Sequence, residues 1–113
     1  MEDEFAGLNA LDRDLLMSRL IDELPGIRET LKVSADAMAD KTGIDKELFK
    51  LIETGKRSLK WSEFMSILFV LWNNDIGRGI VEAKGLFPEA LKRAMSVNRN
   101  AHAPVTESAK YGF

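Results

Sequence analysis

The chain has 113 residues, of which 45% are apolar and 30% are charged. This balance is typical of one globular domain and excludes a disordered chain. It contains no cysteine, which excludes disulfides, thiolate metal sites and cysteine nucleophiles. The acidic start MEDEF and the short apolar runs predict neither a signal peptide nor a membrane span, so we expect a cytoplasmic protein.

The charge is distributed unevenly along a chain whose net charge is −2. Residues 1–31 contain eight acidic and three basic side chains, whereas residues 32–60 contain seven basic and five acidic ones. Positive charge is therefore concentrated in the middle of the chain, although nucleic-acid binders are usually more basic overall.

The first predicted element is an amphipathic helix with Asn9 as its N-cap. Leucines three and four residues apart form a single apolar stripe along it. They are Leu11, Leu15, Leu16, Leu20 and Leu24. Pro25 and Gly26 predict an interruption, with Pro25 as the first residue of a new short helix that carries Ile27 and Leu31.

Caps and breaks predict the next two helices. Ser34 is a favourable N-cap for a helix that stops near Thr42, because Gly43 tolerates the left-handed conformation that ends helices. Asp45 caps the following helix, which runs through Glu53.

The remaining predicted elements are also helical. Ser62 is the predicted N-cap of a helix that reaches about Trp72. A helix follows over residues 76–83, and after a loop a final helix runs from Pro88 through Met95. No strand-like alternation persists over more than a few residues, so the predicted fold class is all-α.

The turn Thr42-Gly43-Ile44-Asp45 joins two short helices. A glycine-containing turn of this length allows the steep crossing of a helix-turn-helix. In its second helix, over residues 45–53, Phe49 and Ile52 are predicted to face the core. The side chains predicted to face outward are Lys46, Glu47, Lys50 and Leu51.

This segment resembles the Xre/Cro-like (phage-repressor type) helix-turn-helix family, whose signature runs approximately S-x-x-x-L-A-x-x-x-G-I-s-x-x-x-I-s-x-I-E-x-G-x-R. The resemblance extends over residues 27–71. The matching positions are Ser34, Met38, Ala39, Gly43, Ile44, Phe49, Ile52, Glu53, Gly55 and Arg57. It implies a five-helix phage-repressor-like domain with an extra N-terminal helix and a C-terminal helical extension.

The predicted organisation is a single helical domain over residues 1–97. Its helix-turn-helix core is residues 27–72, and its C-terminal extension is residues 73–97. The small and polar residues 98–113 predict a flexible tail.

The resemblance also implies a ligand and the residues that contact it. The ligand is double-stranded DNA, and the helix over 45–53 would lie in the major groove with its four outward residues against the bases. The loop after it would contact phosphates through Lys56, Arg57 and Lys60. Family members also pair an arginine of the first helix with the glutamate of the I-E-x-G motif, which implies a structural ion pair between Arg28 and Glu53.

Several residues differ from the family pattern on the DNA-facing side. Ala35 replaces a frequent glutamine, Leu48 and Leu51 replace small polar residues, and Asp45 and Glu47 bring acid close to phosphates. The two leucines, together with the acidic first 31 residues, support an alternative function: a protein-interaction module that keeps the fold without binding DNA, such as an antitoxin-like subunit or a mobile-element accessory factor.

The run from Ile67 to Trp72 is apolar on every face, although one face of a helix in a small domain should meet water. Phe69 and Trp72 therefore need cover. The candidates are the C-terminal segment, the N-terminal leucine stripe, and a second copy of the chain in a homodimer.

No group of residues assembles an active site. His102 is the single histidine, Gly77-Arg78-Gly79 lacks the lysine and further glycines of a phosphate loop, and Asp36 and Asp40 have a spacing common on solvated helix faces. We expect no catalysis, no metal, no cofactor and no small-molecule ligand. The favoured function is sequence-specific DNA binding in transcription regulation, by a dimer on two half-sites.

Overall fold

A computed structural model describes residues 9–96 of the chain. Within that range 75% of residues are helical and no strand forms, which confirms the predicted all-α class. The six helices of this part are α1 (Ala10–Leu31), α2 (Ala35–Thr42), α3 (Lys46–Glu53), α4 (Trp61–Trp72), α5 (Asp75–Ala83) and α6 (Glu89–Met95). The predicted flexible tail, residues 98–113, lies outside the described residues.

Helix α1 begins as predicted but does not break at Pro25. The Asn9 side chain accepts a hydrogen bond from the Asp12 amide at 2.9 Å, and the Asp12 carboxylate accepts one from the Asn9 amide. Pro25 lies inside the continuous helix with its ring exposed, so the predicted new helix at Pro25 is wrong. The buried side chains Leu24 and Ile27 continue one apolar face past the proline, and this burial offsets the backbone hydrogen bond that proline cannot donate.

Two leucines predicted to lie on the buried stripe of α1 are on its opposite side. Leu11 and Leu15 are 75% and 60% exposed, whereas Leu16, Leu20 and Leu24 are buried. At about 100° per residue, Leu11 lies on the order of 180° from Leu20, so a spacing of fours from Leu11 does not continue into the core face.

The helix pair α2–α3 follows its predicted caps. The Ser34 hydroxyl accepts from the Ala37 amide at 3.0 Å, and Gly43 ends α2 with a φ of 77°. Ile44 is buried in the turn. The Asp45 carboxylate then accepts from the amides at the start of α3, at 3.1 and 3.2 Å.

Helix α4 begins two residues earlier than predicted, with Lys60 and not Ser62 at the N-cap position. Glu63 accounts for the difference, because its carboxylate accepts a hydrogen bond from the Lys60 amide at 2.8 Å. A glutamate at the third helical position satisfies an amide that the helix itself leaves unpaired.

A single core occupies the space between the helices. Helix α1 packs against α3, α4 and α5, while α4 packs against α2 and α5. The largest fully buried side chains are Phe49, Phe64, Leu20, Leu24, Ile27, Met38, Ile52, Ile67, Leu71, Leu86 and Leu91. None of the helices within residues 9–96 combines the length and apolar character that a membrane crossing requires.

Two glycines of α5 should respond oppositely to alanine. A Cβ on Gly77 would lie 2.5 Å from the carbonyl oxygen of Leu71, whereas a Cβ on Gly79 would meet nothing within 4 Å. We expect Gly77→Ala to lower the free energy of unfolding by about 1–3 kcal/mol through overpacking. Gly79→Ala should raise it by up to about 1 kcal/mol, because alanine favours helix. Urea unfolding of both variants measures this, and equal effects would contradict the close approach of α5 to α4.

Candidate nucleic-acid interface

The short helix α3 separates its side chains into a core face and an outward face. Phe49 and Ile52 have no exposed surface. The outward positions that are exposed, as the sequence predicted, are Lys46, Glu47, Lys50 and Leu51. A lysine pair one turn apart therefore stands on the surface of a helix whose rotation is fixed by its buried side.

The two leucines of α3 differ in their surroundings. Leu51 is 42% exposed, whereas Leu48 is half-buried and packs against the core. Leu48 is therefore largely a core residue, and Leu51 supplies the exposed apolar surface on this face. An apolar protein-binding surface built on both leucines is smaller than the sequence indicated.

Acidic side chains of α2 border the outward face of α3. The Lys50 ammonium lies 3.8 Å from the Asp36 carboxylate, with both groups more than half exposed. A shallow cleft between the two helices is lined by Asp36, Asp40, Ile44 and Lys46. This face carries charges of both signs. Its attraction for a polyanion therefore depends on which of its lysines can reach the polyanion.

The loop over residues 54–60 follows α3 directly and is held by its backbone. Gly55 has a φ of 79°, a left-handed conformation that glycine adopts without strain. The Leu51 carbonyl accepts from the amides of Lys56 and Arg57 at 2.8 and 3.2 Å. Lys56 and Lys60 are exposed, and neither has an ion-pair partner among residues 9–96. This segment, 54–60, is called the basic loop below.

The third base of this loop, Arg57, is bound within the protein. Its guanidinium donates two hydrogen bonds to the Glu63 carboxylate, at 3.0 and 2.9 Å, and a further one to the Ser58 carbonyl. The side chains of Arg57 and Glu63 are 24% and 14% exposed. Burial alone raises the pKa of Glu63, but the hydrogen bonds from Arg57 and the Lys60 amide and the nearby positive charges outweigh it and lower that pKa.

Sequence reasoning missed this pair. A glutamate three residues after Lys60 is the capping signal that could have found the Lys60–Glu63 contact. The position of Arg57 depends on the path of the loop, which no residue spacing specifies. The sequence-predicted phosphate contacts thus comprise two exposed lysines and one arginine that is paired with a carboxylate.

The predicted ion pair between α1 and α3 is present. The Arg28 guanidinium donates to both oxygens of Glu53 at 2.8 Å and to the Val33 carbonyl at 3.1 Å. The two side chains are 18% and 9% exposed. Hydrogen bonding to Glu53 raises the pKa of Arg28 despite the opposing effect of burial. The pair joins the last turns of the two helices.

The apolar surface at the end of α4 is covered in part. The Trp72 ring meets Phe87 edge-on at 4.8 Å between centroids, and the Lys92 ammonium lies 5.4 Å from the Trp72 ring. The C-terminal segment therefore covers Trp72, which is one of the alternatives that the sequence predicted. Phe69 remains 70% exposed within residues 9–96, between two clefts lined by Thr42 and Met65 on one side and by Leu31 and Val33 on the other.

Within residues 9–96, no cluster of three or more histidine, cysteine or acidic side chains has the arrangement of a metal site. A comparison with protein-family models, curated proteins and solved structures returns no match to this chain. The arrangement of the residues themselves therefore carries the functional argument.

Breaking the pair between Arg28 and Glu53 should be costly. Arg28→Ala leaves a mostly buried carboxylate without its partner, and we expect the free energy of unfolding to fall by about 2 kcal/mol or more. Glu29→Ala, at the neighbouring exposed position of the same helix, is the matched control and should change it by less than about 0.5 kcal/mol. Urea unfolding at neutral pH compares the two, and equal losses would show that the pair does not stabilise the fold.

Proposed function

We propose that the protein is a sequence-specific DNA-binding transcription regulator of the helix-turn-helix type, with α2 and α3 as the helix pair. The observation that carries the proposal is the outward face of α3. Lys46 and Lys50 stand on a helix held from behind by Phe49 and Ile52. A helix fits the major groove, where side chains can distinguish base pairs.

The interface residues have two roles under this proposal. The base edges are contacted by the outward residues of α3, which are Lys46, Glu47, Lys50 and Leu51. Lysine donates to guanine, glutamate accepts from cytosine, and leucine contacts the thymine methyl group. Lys56 and Lys60 of the basic loop contact phosphates, which fixes the register of the helix on the duplex without reading sequence.

A dimer of two chains would place two α3 helices on successive half-sites. The occupant proposed for the surface around Phe69 is a second copy of this chain. The exposed ring lies between two partly apolar clefts, so the surface offers both a projecting side chain and a recess. A two-fold interface requires such self-complementarity.

The two roles predict separable defects in DNA binding. Lys46→Ala or Lys50→Ala should reduce discrimination between operator and random duplex by about 1–3 kcal/mol. Lys56→Ala should weaken binding to both duplexes alike and lower the salt slope by about one unit. Fluorescence anisotropy at two salt concentrations, with the DNA upstream of the protein's own gene and a shuffled duplex, measures both effects.

Lys84→Ala is the control for lost charge in this series, because Lys84 lies after α5 and pairs with Glu23 at 2.9 Å. It should leave both quantities unchanged. If the wild-type protein binds no duplex even at low salt, where non-specific attraction is strongest, the DNA-binding proposal is wrong. The protein-interaction alternative then replaces it, with Leu51 as the first residue to change.

Replacing Phe69 should separate the two copies. We expect Phe69→Asn to shift sedimentation equilibrium towards monomer with little loss of monomer stability, because the ring contacts water in the single chain. Ile76→Asn removes another exposed apolar side chain, on α5, and should leave association unchanged. A monomeric wild-type protein whose melting temperature falls with Phe69→Asn would instead show that the chain covers Phe69 itself.

A further inference from the structure

We infer that Glu63 is a positioning residue for DNA binding: it holds Arg57, and so fixes the basic loop in the shape that presents Lys56 and Lys60. The inference rests on the proposed function and assigns Arg57 a role inside the protein in place of a phosphate contact. By charge alone, the carboxylate of Glu63 would be unfavourable near DNA, because it repels phosphates.

Three contacts on one carboxylate carry the inference. Both oxygens of Glu63 accept from the Arg57 guanidinium, and one of them also accepts from the Lys60 amide at 2.8 Å. Glu63 belongs to the first turn of α4, which is anchored in the core by Phe64. The carboxylate thus ties two points of the basic loop to a rigid element.

The opposite end of the loop is tied to α3. The Leu51 carbonyl accepts from the amides of Lys56 and Arg57. Lys56 lies at this contact, directly before Arg57 in the chain, and Lys60 lies at the contact with Glu63. The backbone at both lysines is therefore held between α3 and α4, and loss of the Glu63 carboxylate removes the attachment to α4.

Charge and positioning make opposite predictions for Glu63→Gln. Removing an acid beside a polyanion strengthens attraction if only charge matters. Releasing the loop weakens binding, because two phosphate contacts lose their fixed geometry. The entropy cost of ordering the loop must then be met when DNA binds. Glutamine keeps the size of the side chain and an oxygen that can accept from the Lys60 amide, so the change is directed at the pair with Arg57.

The first experiment measures duplex affinity and its salt slope for the full chain. We expect Glu63→Gln to weaken binding about threefold to fivefold, the scale of a partly exposed ion pair, and to reduce the salt slope. Glu89→Gln removes the same charge from the exposed start of α6 and should leave affinity unchanged or slightly raise it. Tighter binding or a steeper slope for Glu63→Gln overturns the inference.

The second experiment does not depend on DNA. Trypsin cuts after lysine and arginine only where the backbone can open locally. We therefore expect cleavage after Lys56 and Lys60 to be at least threefold faster in Glu63→Gln than in the wild-type protein. Digestion under native conditions, monitored by mass spectrometry, measures these rates. Arg57→Gln breaks the same pair from the other side and should accelerate the same two cuts, which covers the case in which Glu63→Gln fails to fold. Unchanged cleavage in a folded variant overturns the inference whether or not DNA binds. If cleavage accelerates but the wild-type protein binds no DNA, the proposed function fails, and Glu63 holds the loop for a purpose other than DNA binding.

Discussion

The burial of Phe49 and Ile52 is the constraint on which the rest of the candidate interface depends. A helix of eight residues is not stable alone in water, because its few hydrogen bonds do not offset the entropy of forming its first turn. Both side chains are fully enclosed, so tertiary packing holds α3 in place. Since the helical period links inward and outward positions, Lys46 and Lys50 cannot turn away without exposing the core.

Two arginine–glutamate pairs, one at the C-terminal end of this helix and one in the loop after it, fix orientation as well as stabilising the fold. Arg28 and Glu53 join the end of α3 to α1, while Arg57 and Glu63 join the loop after α3 to α4. Breaking either pair leaves a mostly buried carboxylate without its partner, which lowers stability. The two parallel hydrogen bonds of each pair are also directional, so each pair restricts how one segment can rotate against the next.

The sequence was informative where structure depends on neighbours within one turn. The caps at Ser34 and Asp45 and the left-handed turn at Gly43 are contacts over two to four residues, and all three were predicted. The break at Pro25 was not realised, because burial of residues before and after it outweighs a local preference. The pair between Arg57 and Glu63 was missed for a related reason: the course of the loop, set by packing of α4, brings the two side chains together.

Three-dimensional pairing also changes how the positive charge of the middle segment should be counted. Arg57 is paired with Glu63 and Lys50 lies near Asp36. Within residues 9–96, the lysines of α3 and the basic loop that have no acidic partner are therefore those at positions 46, 56 and 60. Each phosphate contact contributes about 0.9 to the salt slope, and so few contacts give one chain a weak hold on DNA. Under the proposed function, discrimination must therefore come from contacts to base edges, and affinity from a second copy bound to the neighbouring half-site.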